Sequence, residues 1–72
     1  DYSLELNRLN NEKRSLEEMI KLAHIKFNKR KLDGESFREI VRDHQKKLIE
    51  IETQINNLGK RVDEIEKKNK IN

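Results

Sequence analysis

The chain has 72 residues, of which 43% are charged and only 32% hydrophobic, with no proline, cysteine or tryptophan. Such a short and polar chain cannot build the walls of a pocket, so the composition argues against a globular enzyme. It holds no disulfide or cysteine zinc site, and no apolar run approaches the roughly 18 residues of a membrane span. The composition fits a coiled coil, which needs apolar residues along one narrow stripe only.

The first apolar stripe runs from Tyr2 to Phe27 in alternating steps of four and three residues, and Lys13 alone interrupts it. A 3.5-residue period indicates a helix that packs along a seam. We predict a helix over about residues 2–31, ending in three cations that suit the helix dipole. Its seam residues are Leu6, Leu9, Leu16, Ile20 and Phe27.

A second stripe with the same steps begins at Phe37 and continues to Asn69. It predicts a helix over about residues 35–70. His44 occupies a stripe position, where a polar side chain can specify the register of pairing. The seam residues of this helix are Phe37, Val41, Leu48, Ile51, Ile55, Leu58 and Val62.

The two stripes differ in phase, and the residues between them have turn chemistry, so we predict a reversal at about residues 32–34. Asp33 can cap the second helix, with Leu32 and Phe37 placed as a hydrophobic staple. This cap pairs Phe27 with Phe37.

A rival arrangement makes Gly34 the left-handed residue that ends the first helix. Ser36 then caps the second helix, Glu39 completes a capping box, and Phe27 pairs with His44. We favour the Asp33 cap because its loop is shorter, and both arrangements remain open at this point.

The predicted fold is therefore all-α: one antiparallel two-helix coiled-coil hairpin spanning residues 1–72, with a four-helix bundle as its candidate assembled form. A chain that starts at Asp1 rather than at methionine is expected to be a segment of a longer protein. Some large apolar side chains fall outside the seam. They are either scattered surface residues or a second contact face, and we predict the contact face, formed by Met19, Leu22, Ile25 and Ile40.

Residues 21–47 carry nine basic and four acidic side chains, so the turn end of the hairpin is expected to be positive. These cations either complement the helix dipole and the solvent or form a site for a polyanion. We call the following residues the basic tip: Lys26, Lys29, Arg30, Lys31, Arg38 and Arg42.

The segment 26–48 contains a helix, a basic run, Leu32-Asp33 and then Phe37 in the next helix. It resembles the turn of SHOCT-type short helical hairpins, in which Leu32 matches the aliphatic residue, Asp33 the cap and Phe37 the aromatic residue that folds back. The resemblance covers about a third of the chain, which departs from the pattern in its longer arms and in Gly34. It implies an oligomerisation or interaction module attached to other domains.

We expect no enzymatic activity, since no serine has a histidine at a plausible spacing, and we expect no cofactor and no metal. His24 and His44 are interpreted as structural. The first hypothesis for function is a coiled-coil oligomerisation or protein-docking module of a larger protein, which associates with itself or with another helical protein. The alternative is a basic helical arm that binds nucleic acid through its turn end. The expected location is the cytoplasm or the cytosolic face of a membrane protein.

Overall fold

The computed structural model describes the backbone of residues 1–71 and the side chains of residues 1–69. It contains two helices, α1 (Tyr2–Asn28) and α2 (Gly34–Ile71), which pack against each other in opposite directions. The prediction of an all-α helical hairpin is confirmed. The rod measures 61 × 17 × 14 Å. It exceeds the length of α1, about 40 Å for its 27 residues, because the 38-residue α2 extends past the start of α1.

The core of the hairpin is a thin line of side chains along the contact between the helices. Leu9, Ala23, Ile51 and Leu58 are buried, and Leu9 is only 1% exposed. Around them pack half-buried aliphatic residues, namely Leu6, Leu16 and Ile55. Two helices can shield only one face of each other, so the contact buries few residues completely.

The first helix ends at Asn28, so the predicted end at residue 31 is wrong. Arg30 adopts the left-handed conformation (φ 59°), its N–H donates to the carbonyl of Phe27 (3.0 Å), and the Lys31 N–H donates to that of Lys26 (2.8 Å). This pair of bonds is a Schellman motif, which satisfies the last carbonyls of a helix. The loop therefore spans residues 29–33 instead of the predicted 32–34.

Asp33 caps the second helix. Its Oδ1 accepts a hydrogen bond from the Ser36 N–H (2.7 Å), and its Oδ2 accepts one from the Ser36 hydroxyl (3.1 Å). Gly34 is the first helical residue, and no glycine in the described residues has a positive φ. The rival arrangement with Ser36 as the cap is therefore wrong.

The register at the turn follows from the Asp33 cap. The rings of Phe27 and Phe37 stack with their centroids 4.4 Å apart and their planes 16° from parallel. His44, which the rival register pairs with Phe27, contacts Met19 instead.

Replacing Arg30 by glycine is expected to stabilise the hairpin. Glycine adopts the left-handed conformation without the steric cost of a Cβ, which is about 1 kcal/mol. For a chain of this size the melting temperature should rise by about 4–8 °C, measured by circular dichroism at fixed protein concentration. The matched control is Lys29→Gly, because Lys29 has a negative φ of −85° and glycine brings no such relief there. Equal effects of the two substitutions would contradict this explanation of the turn.

The Asp33 cap is expected to make stability depend on pH. Hydrogen bonds from the Ser36 N–H and hydroxyl lower the pKa of the Asp33 carboxyl. A lowered pKa in the folded state means that the contribution is complete above the ordinary carboxyl pKa and is lost as the pH falls through the lowered value. Asp33→Ala should therefore melt several degrees below the wild type at pH 7. The difference in melting temperature between the two proteins should shrink as the pH falls toward 2. A difference that stays constant with pH would contradict the stabilising role of the Asp33 carboxylate.

Candidate interaction surface

Three depressions follow one another along one side of the hairpin, between the two helices, with volumes of about 230, 330 and 250 Å³. Their borders repeat every seven residues on both helices, and residues seven apart lie on nearly the same side of a helix. We call this continuous feature the groove. Its rim is formed on α1 by Glu5, Glu12, Met19 and Lys26, and on α2 by Ile40, Lys47, Gln54 and Arg61.

The groove is apolar at its turn end, where Met19, Leu22 and Ile40 line one depression together with Ala23 and Leu32. Met19 and Leu22 are each 49% exposed, although both are large hydrophobic side chains. The structure therefore brings three of the four predicted second-face residues together.

Ile25, the fourth residue of the predicted second face, does not line this depression. It lies about 60° further round α1 than Leu22, since each helical residue turns about 100°. Its side chain is 40% exposed.

His44 holds the apolar end of the groove in place. Its Nδ1 lies 2.7 Å from the carbonyl oxygen of Ile40, and a carbonyl can only accept, so Nδ1 carries the proton. The Nε2 atom lies 3.3 Å from the sulfur of Met19 on the opposite helix. His44 is half-buried, and both it and Met19 line this end of the groove.

The open end of the groove is polar. Arg8 forms ion pairs with Glu5 (2.7 Å) and Glu12 (2.6 Å), one helical turn away on either side. The hydrogen bond from Arg8 lowers the pKa of Glu5, and the positive charge of Arg61 on α2 lowers it further. These groups are exposed to solvent, so they add little stability. They do fix where the charges lie along the rim.

The predicted seam residues are buried or half-buried, with one exception. Leu9, Ile51 and Leu58 are buried, and most of the others are half-buried: Leu6, Leu16, Ile20, Phe37, Val41, Leu48, Ile55 and Val62. Phe27 is 39% exposed despite its stack on Phe37. It lies at the end of the hairpin, where no further layer covers its ring.

The six residues of the basic tip are all exposed. Within the described part of the chain the ion pairs are those of Arg8, so the tip cations have no carboxylate within 4.0 Å there. The exposed Phe27 borders a depression of about 590 Å³ together with Arg30 and Lys31. His24 packs edge-on against Phe37, with ring centroids 4.9 Å apart. The tip thus combines free positive charge with an exposed aromatic ring.

The sequence contains a signal for the groove that is separate from the seam. Beside each seam runs a second heptad series, beginning at Glu5 on α1 and at Ile40 on α2. Its members are mostly polar, so a search for hydrophobic periodicity does not detect them.

Over the described residues, neither helix contains a stretch apolar enough to traverse a lipid bilayer. Nor do three or more histidine or carboxylate side chains of that part of the chain come together as they would around a metal ion. Comparison of the chain with protein-family models, with curated proteins and with solved structures gave no match. The resemblance of residues 26–48 to SHOCT-type hairpins stays a prediction.

Proposed function

We propose that this chain is a non-enzymatic, coiled-coil-like interaction module of a larger protein, and that it associates with partner helices through the groove. The observation that carries the proposal is the apolar end of the groove, where Met19 and Leu22 are half-exposed side by side. Clustered apolar side chains on the surface of a small domain are typical of contact sites. The expected location, the cytoplasm or the cytosolic face of a membrane protein, stays a prediction.

The thin core supports this function. Leu9, Ala23, Ile51 and Leu58 are the buried hydrophobic side chains of the described residues. Chains of this length that have neither disulfides nor a structural metal commonly gain stability by association. A partner helix in the groove would cover Met19 and Leu22 and would extend the line of buried side chains sideways. The same contact would then provide both the binding and part of the stability.

Sedimentation equilibrium tests the proposal. The wild-type chain should show a mass above 8.7 kDa that rises with concentration. Leu22→Glu should weaken the association about tenfold or more, because it places a charge in the apolar end of the groove. The matched control is Ile49→Glu, since Ile49 is 66% exposed and lies outside the groove. A monomeric wild type over the whole concentration range would contradict self-association, and equal effects of both variants would contradict the groove.

A second candidate function is nucleic-acid binding by the basic tip, and the exposed Phe27 favours it. Bases stack on exposed aromatic rings, and cations beside the ring bind the phosphates. Arg38 and Phe27 both lie beside Gly34: a Cβ on Gly34 would lie 3.2 Å from Arg38 Nη1 and 3.9 Å from Phe27 Cε1.

A salt titration with a single-stranded oligonucleotide tests this second function. Affinity should fall steeply with salt, and Lys29→Gln/Lys31→Gln should reduce the slope of log K against log [salt] by about 2. The matched control is Lys60→Gln/Lys67→Gln, which removes two exposed lysines from the opposite end of α2. Equal slopes for the two double variants would show that the tip is not the binding site.

A further inference from the structure

The groove runs along the part of the hairpin where α1 and α2 overlap, from Glu5 and Arg61 at the open end to Lys26 and Ile40 at the turn end. A partner that fills it must therefore be about as long as this overlap and must present helices along its length. A second copy of this chain meets both requirements. In a dimer with a two-fold axis, both copies contact each other through the same face. The groove face alone can therefore form the whole interface.

The exposed area of the hairpin is large enough for such a pairing. Its accessible surface is 6117 Å². A folded monomer of 8.7 kDa is expected to expose about 4,700 Å², so the hairpin exposes roughly 1,400 Å² more. A standard stable interface covers about 800 Å² on each partner. Pairing through the groove face would bury about this standard area on each copy, including the exposed parts of Met19 and Leu22.

The charges distinguish the two ways of laying one copy on the other. Residues 1–20 carry three basic and five acidic side chains, a net charge of −2, whereas residues 21–47 carry nine and four, a net charge of +5. A parallel pair would place the two positive turn ends together. An antiparallel pair places each turn end over the negative segment of the other copy, which is electrostatically complementary.

In the register of the Phe27–Phe37 stack, Asp63 lies about level with Asp1, so the following residues of α2 extend past α1. Ile65 lies in this extension and is 58% exposed. Residues 63–72 contain three acidic and three basic side chains, so the extension has no net charge. In an antiparallel pair it lies toward the turn end of the other copy, whereas a parallel pair would place the two extensions side by side.

We infer that two copies of the chain pair antiparallel through their groove faces, with the turn end of each over the open end of the other, to form a four-helix bundle. This inference rests on the proposed function and adds to it the identity and the orientation of the partner. Lys26 on the rim of one copy then lies over the end of the groove that holds Glu5 in the other. The apolar segment with Leu22 lies toward the end that holds Leu4, which is 69% exposed.

Distances between spin labels test the orientation. The chain contains no cysteine, so a single introduced cysteine gives one label for each copy. For Lys29→Cys, at the turn, an antiparallel pair should give a distance on the order of 40 Å, the length of α1. A parallel pair should give less than about 25 Å, since the turns are then separated by neighbouring helices only. A mixture of labelled Lys29→Cys and labelled Ser3→Cys should add a distance below about 25 Å, because the two labels then lie at the same end of the bundle.

Met19→Glu and the control Ile49→Glu test the face, with helicity checked by circular dichroism. Met19→Glu should weaken the dimer about tenfold or more, and Ile49→Glu should leave it unchanged. A dimer with a short Lys29–Lys29 distance would overturn the antiparallel orientation but leave the interaction module standing. A long distance in a dimer that Met19→Glu does not weaken would overturn the groove as its interface. A wild-type monomer would overturn both this inference and the proposed self-association.

Discussion

The structure depends on the reversal of the chain within residues 29–33. A loop this short has to satisfy the last carbonyls of one helix and the first N–H groups of the next, because unpaired backbone groups are costly. The Schellman bonds around Arg30 and the side chain of Asp33 meet most of this requirement with residues of the loop and its neighbours. The stack of Phe27 on Phe37 then sets the register of all layers further along the rod.

That register divides the surface of the hairpin into regions of different chemistry. One side of the contact carries the groove, apolar near Met19 and polar near Arg8. The turn end carries cations with an exposed aromatic ring, and the far end of α2 carries the exposed Ile65. The same two-helix geometry that limits the core also leaves these regions exposed, since neither helix can cover more than one face of the other. The side chains that stabilise the hairpin therefore lie next to those that it leaves exposed.

The proposed interaction through the groove and the candidate binding of nucleic acid at the tip place different demands on the molecule. The first uses apolar area along the length of the rod and responds weakly to salt. The second uses a few cations at one end and responds strongly. In an antiparallel pair the tip of one copy would lie beside the open end of the other, so the two activities would compete for Arg30 and its neighbours. The opposite charges of the two ends favour the association of like chains.

The sequence by itself determined the helical class, the number of helices, the position of the Asp33 cap and most residues of the contact, because heptad spacing and capping are local properties. It could not place the end of α1. The helix ends through Arg30 in the left-handed conformation, which is locally unfavourable for a residue with a Cβ. The closure of the loop and the packing of both helices sustain this conformation. The groove likewise exists only in the tertiary structure. Its rim consists of one mostly polar heptad series from each helix, and the two series lie on the same side of the hairpin only because the helices pair. The pairing of the helices and its register also decided which exposed apolar residues lie together. Met19 and Leu22 lie inside the groove, and Ile25 lies outside it.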